Sequence, residues 1–108
     1  MLIAVAGPYT ADTEKKKKQN LDAMNEAAAR IYEKGHIPVI GVNASLLVIE
    51  KLKDENKKNA MMDISLALVD RCDALLLIGE SPGANIERDL ILTKEKKVYL
   101  SIDEIPDL

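Results

Sequence analysis

Ala74-Leu75-Leu76-Leu77-Ile78-Gly79-Glu80-Ser81-Pro82-Gly83-Ala84-Asn85-Ile86-Glu87 contains a strand, a helix start and the junction between them. The first five residues are an unbroken apolar run. A strand with one face in water would alternate, so this one is expected to be covered on both sides. Ser81-Pro82 then reads as the opening of a helix. Serine is a good N-cap, and proline is tolerated at the first helical position, where its missing N–H has no helical partner to lose. The helix is expected to run to about Glu95. A buried strand feeding a helix is the unit from which parallel sheets wrapped in helices are built.

The chain on either side repeats this unit. Toward the N-terminus, Asn59 to Arg71 carries apolar residues on several helical faces (Met61, Ile64, Leu68; Met62, Leu66, Val69) and reads as a buried helix. Asp54 to Lys58 reads as a charged connection, and Ser45 to Leu52 as a helix. Ile37 to Val42 is expected to be a strand, with Pro38 marking it as an edge strand. Leu21, Met24, Ala28 and Ile31 recur at helical spacing, and Gly35 stands where a helix C-terminal glycine belongs. Leu2 to Ala6 is a short buried strand ended by Gly7-Pro8. Beyond the central stretch, Lys97 to Ser101 is a last strand and Ile102 to Leu108 a tail.

With right-handed crossovers, the simplest sheet has four parallel strands in the order 2-1-3-4 between two helical layers. This is a three-layer, Rossmann-like or flavodoxin-like α/β domain. Residues 1–108 suffice for one such domain. The winding reverses between strands 1 and 3. Ligands of such sheets bind in that crevice at the carboxyl edge, so functional residues are expected after Gly7 and Gly79.

Composition removes other classes. The net charge of −3 argues against a dedicated duplex nucleic-acid binder. With no Phe, no Trp and three Tyr, a base-stacking platform is not expected either. Cys72 is alone, so no internal disulfide forms, and with the single His36 it cannot build a zinc site of the usual kind. No metal or cofactor is expected. The longest uncharged run, Ile37 to Ile49, falls short of the roughly 18 apolar residues of a membrane span. Without a basic leader, the expected location is the cytoplasm.

Two segments meet at the predicted crevice, Gly7-Pro8-Tyr9-Thr10 and Gly79 to Glu87. Free N–H groups and the positive end of the helix dipole make the second an anion site, and Gly83 allows close approach to the backbone. Glu87 lies one turn after Gly83 on the same side, where the dipole is expected to favour its ionised form. Read alone, this is equally a capped helix with a solvated carboxylate. Asn43, just past strand 2, reaches the same edge, although a turn asparagine explains it as well. His36 precedes strand 2, at the opposite edge, and reads as a loop residue. Cys72 reads as a small core hydrophobe. Lys15 to Lys18 read as a solvated run in the loop after Tyr9, or as a flap attracting phosphate.

Taken together, several pieces resemble the nucleoside 2-deoxyribosyltransferase-like superfamily, in particular its small DUF4406-type members. They are Gly7-Pro8-Tyr9, Asn20, Gly35-His36-Ile37-Pro38, Asp63-Ile64-Ser65-Leu66-Ala67-Leu68, Arg71-Cys72-Asp73-Ala74-Leu75 and Ser81-Pro82-Gly83-Ala84-Asn85-Ile86-Glu87, spread in family order over roughly residues 2–100. The resemblance implies cleavage of the N-glycosidic bond of a nucleoside or nucleoside 5′-monophosphate. Glu87 would be the nucleophile and Tyr9 would orient it. Gly7, Pro8, Ser81, Gly83 and Asn43 would contact substrate. The family also uses an aspartate on the helix before strand 3 to assist the leaving base. Asp73 starts strand 3 at the amino edge, roughly 20 Å from Ser81. Asp63, near the start of the antiparallel helix, returns to the carboxyl edge and is the expected acid. Hydrolysis is expected over base exchange, because no asparagine follows Asn85 to match the one that the transferases contribute from a neighbouring subunit. A homodimer is expected, since one small domain makes only an open crevice.

Two rivals share the fold. One is a nucleotide-binding module without catalysis, in which the same helix start senses a phosphate. The other is a phosphoribohydrolase of the lysine-decarboxylase-like group, whose motif carries a Pro-Gly-Gly run. Ser81-Pro82-Gly83-Ala84 lacks the second glycine.

Overall fold

The computed structural model describes residues 1–108, the side chain of Lys58 excepted. The elements are β1 (Leu2–Ala6), α1 (Glu14–Glu33), β2 (Ile37–Val39), α2 (Gly41–Glu50), α3 (Asp54–Val69), β3 (Ala74–Leu77), α4 (Pro82–Thr93) and β4 (Lys97–Tyr99), followed by a 3₁₀ turn at Ile102–Glu104. All strand pairs are parallel, in the order β2-β1-β3-β4, as the strand–helix alternation predicts. Ala4 pairs with Leu75 and Ala6 with Leu77, so the carboxyl ends of β1 and β3 lie level.

Successive strand residues point to opposite faces, and here both faces are covered. Ile3, Val5, Ala74 and Leu76 pack against Met24, Ala27, Ala28 and Ile31 of α1. Ala4, Ala6, Leu75 and Leu77 pack against Val69 and Cys72 at the end of α3 and against Ala84 and Ile91 of α4. This three-layer arrangement is why the strands read as unbroken apolar runs. Cys72 is buried, and burial is the main cause that pushes its thiol pKa up to about 11, as suits a core thiol with little reactivity. No helix is long and apolar enough to cross a membrane.

Helix ends follow local chemistry where the chain supplies it. Thr13 caps α1 by accepting the Lys16 N–H at 3.1 Å. At the other end Gly35 has φ +96°, with its N–H on the Tyr32 carbonyl and that of His36 on the Ile31 carbonyl, the Schellman pattern. Because α1 starts at Glu14, Lys15 to Lys18 lie on a helix and not in a loop, and Lys17 pairs with Glu14 at 3.3 Å.

Three further boundaries differ from the sequence reading. The second strand stops at Val39 and α2 begins at Gly41, because Ile40 occupies the N-cap position without any side-chain cap and so leaves no polar signal. The charged stretch from Asp54 is the first turn of α3, where Asp54 and Glu55 suit the positive end of the dipole. Lys58 shares that stretch, but its side chain lies outside the described part. The helix after Ser81 ends at Thr93, with Glu95 at φ +60° closing the turn.

His36 is also not a loop residue in the solvated sense, being 1% exposed. Its Nδ1 lies 2.9 Å from the Met1 amino group and its Nε2 lies 2.7 Å from the Pro106 carbonyl oxygen. It is an internal tie at the amino edge, away from the crevice.

Candidate functional site

The site begins with two glycines. A Cβ on Gly7 would lie 2.6 Å from Ile78 Cγ1, and one on Gly79 would lie 3.1 Å from Pro8 Cδ. The absence of both side chains lets the chain segments leaving β1 and β3 touch. The Ile78 N–H donates to the Ala6 carbonyl at 2.9 Å and extends the pairing one step past the strands. Asn20, on α1, donates its amide to the Tyr9 carbonyl at 3.0 Å and holds that loop in place. Ser81 caps α4 by accepting the Ala84 N–H at 3.1 Å, with Pro82 at the first helical position.

Between these segments lies a cavity of about 590 Å³. Gly7, Tyr9 and Thr10 form one wall, and Ser81 to Ala84 with Glu87 form the second. Val42 of α2 and Met61, Met62 and Ser65 of α3 form the third. The cavity is therefore at the carboxyl edge, where the winding reverses, as the topology predicts. Its volume is within the usual range for small-molecule pockets.

Glu87 is 9% exposed, and its carboxyl has no hydrogen-bond partner among the described residues. Burial pushes its pKa from 4.5 up to about 7. The expectation that the helix dipole would favour the ionised form is thereby reversed. The dipole acts within the first turn, whereas Glu87 sits in the second, where loss of water dominates. Glu80 stays outside the cavity, exposed and paired with Arg88 at 3.2 Å.

The structure brings Glu87, Tyr9, Gly7, Ser81 and Gly83 to one cavity. It does not bring Asp63, Asn43 or Pro8 to its lining. Asp63 is exposed, although its helix does return to the carboxyl edge. At 100° per residue, Asp63 lies roughly 150° around α3 from the face formed by Met61, Met62 and Ser65. Asn43 is exposed in α2, where its amide donates to Asn25 Oδ1 of α1 at 2.7 Å, so it joins two helices. Pro8 packs on Gly79. Asp73, set aside as an amino-edge residue, accepts the Leu2 N–H at 2.8 Å at that edge. The anion site at α4 is slight. Pro82 has no N–H, the Ala84 N–H is taken by the Ser81 hydroxyl and that of Asn85 by the Ser81 carbonyl, so Gly83 offers the one uncommitted N–H of the first turn.

Sequence reading missed Ser65, which is 3% exposed and lines the cavity. The signal was present, because Ser65 shares a helical face with Met61 and Met62. Among the described residues there is no group of three or more His, Cys, Asp or Glu that could hold a metal ion.

Fold and cavity together define a parallel α/β domain with a ligand-sized cleft at its switch point and a buried carboxyl in that cleft. The chain belongs to the family described as domain of unknown function DUF4406, whose model matches residues 1–100. No curated protein matches it.

Proposed function

We propose that this cleft cleaves the N-glycosidic bond of a nucleoside or nucleoside 5′-monophosphate, the activity that the resemblance to nucleoside 2-deoxyribosyltransferase-like proteins implies. The observation that carries the reading is a buried carboxyl without a protein partner in the cavity between β1 and β3, which Tyr9 also lines.

A Glu87 oxygen attacks C1′ of the sugar. The C1′–N bond breaks, its electron pair leaves with the base, and the base nitrogen takes a proton from water. A glycosyl ester of Glu87 remains. Water then attacks C1′, the ester C–O bond breaks, Glu87 departs as carboxylate, and the second proton goes to solvent. The net reaction adds one water to give free base and free sugar, by the retaining double displacement. Burial assists because the transition state carries oxocarbenium charge. In a site with little water, a carboxylate interacts more strongly with that charge than with the neutral ground state. Tyr9 lines the same cavity without a hydrogen bond to Glu87, and in this reading its hydroxyl orients the carboxylate once substrate is bound. No cofactor enters this reading. A second copy of the chain would narrow the open side of the crevice, which is why a homodimer remains part of it.

One observation favours the non-catalytic alternative. Glu87 is the only carboxylate lining the cavity among the described residues, so no second carboxyl is placed to protonate the base. Incubation with nucleosides and their 5′-monophosphates, followed by chromatography of released base, separates the two. Release that disappears in Glu87→Ala supports the glycosidase. Binding without release, unchanged in Glu87→Gln, supports the sensor.

A further inference from the structure

Among the described residues, three of α3 line the cavity, Met61, Met62 and Ser65, and they pack in three directions. Met61 packs, like Tyr9, against the core cluster that α1 forms on its face of the sheet. Ser65 packs its hydroxyl on Gly41 of α2. Met62 reaches α4. A Cβ on Gly83 would lie 3.1 Å from Met62 Cε, so the thioether chain spans from one helix to the other. Its methyl ends beside the space that a side chain at position 83 would fill.

This contact lies outward of Glu87. As the crossover between two parallel strands, α4 starts at the carboxyl edge and runs back toward the amino edge. Glu87 is four residues past Gly83 on the same helical face, about 6 Å deeper. It is 9% exposed, and burial pushes its pKa up to about 7. The ionisable groups around it do not account for that rise. Tyr9 shares the cavity, and Cys72 at the end of α3 holds a thiol whose pKa is about 11. Arg88, the next residue of α4, is engaged with Glu80 and Asp89, and Asp70 of α3 with Lys94. No Lys, Arg or His lines the cavity among the described residues.

We infer that Met62 is a positioning residue for Glu87: its side chain, seated on Gly83, closes the seam between α3 and α4 and keeps water from the carboxyl. An unbranched thioether suits this task, because it fills an irregular gap between two helices without fixing their distance. The inference rests on the proposed function only for the reaction that a dry carboxyl serves. In that reaction, the strong interaction of Glu87 with oxocarbenium charge depends on Met62 staying in place.

Met62→Ala and Gly83→Ala test the inference from both sides of the seam. The first removes the span. The second places a methyl against Met62 Cε, and the flexible tip has to move off. Carbon NMR of labelled glutamate follows Glu87, assigned by the signal lost in Glu87→Gln. The titration midpoint is expected near 7 in the wild type. In each folded variant it is expected to fall by on the order of one pH unit, as water returns to the carboxylate. A midpoint unchanged in either folded variant overturns the inference, and should one variant fail to fold, the other decides. Where the wild type releases base, the pH profile of kcat/KM should move with the midpoint. Unchanged midpoints beside base release overturn the role of Met62 alone. Lowered midpoints in a protein that releases no base support that role and remove the glycosidase reading.

Discussion

Glu87→Gln is expected to raise the stability of the folded protein at pH 8 while removing base release. The cause is the cost of an ionised carboxylate in the cavity. The Glu87 pKa stands near 7 in the folded protein, against 4.5 in the open chain, because burial disfavours the charged form. Between these values the folded state binds more protons than the unfolded one. Wild-type stability attributable to this group is therefore highest below about pH 4.5, falls as pH rises through 7 and levels off near pH 8. The full span is about 3 kcal/mol. A neutral amide of the same shape escapes this penalty. Thermal melts at pH 8 should place Glu87→Gln on the order of 10 °C above wild type, with the gap closing at pH 4.5. Base release should fall on the order of 10³-fold or more, because the amide cannot form the glycosyl ester. In the wild type, kcat/KM should rise with pH through about 7 as the carboxyl ionises. A stability gap that is the same at pH 4.5 and pH 8 would show that Glu87 is not desolvated.

Gly41→Ala should act in the opposite direction on stability. A methyl group there would overlap the Ser65 Oγ and meet the Ser65 Cβ at 2.6 Å and the Ser65 Cα at 2.9 Å, and backbone cannot swing aside as a side-chain tip can. α2 and α3 must separate. Overpacking of this kind costs about 2–3 kcal/mol, more than the roughly 1 kcal/mol that alanine gains over glycine in a helix. The melting temperature should fall by on the order of 10 °C. Because Ser65 lines the cavity, ligand affinity should fall with it. A Gly41→Ala protein as stable as wild type would mean that the two helices do not touch at this point.

The parts of the fold legible in the sequence are those with a local cause. Ala74 to Ile78 could only be a strand covered on both faces, and Ser81-Pro82 supplied a cap and a first turn. Gly7 and Gly79 marked the two strand ends that the topology sets side by side. Tyr9 and Glu87 follow those glycines, which is why the sequence alone assigns both to the carboxyl edge. The start of α2 was not legible, because Ile40 leaves no polar cap and Ile40-Gly41-Val42 continues the apolar pattern of the strand. Asp63, expected as the acid, lies outside the cavity lining because of helical phase. It lies near the same end of α3 as Ser65, but only the face shared with Met61 and Met62 meets the cavity. The ionisation of Glu87 was misread because position on a helix is a local property, whereas burial depends on the walls contributed by α2, α3 and the Tyr9 loop.

A crystal structure of Glu87→Gln with a bound 2′-deoxynucleoside or its 5′-monophosphate tests the proposed chemistry most directly. The double displacement requires C1′ within about 3.5 Å of the side-chain oxygen at position 87. A ligand bound elsewhere on the protein, or one in the cavity with C1′ turned away from position 87, would contradict it.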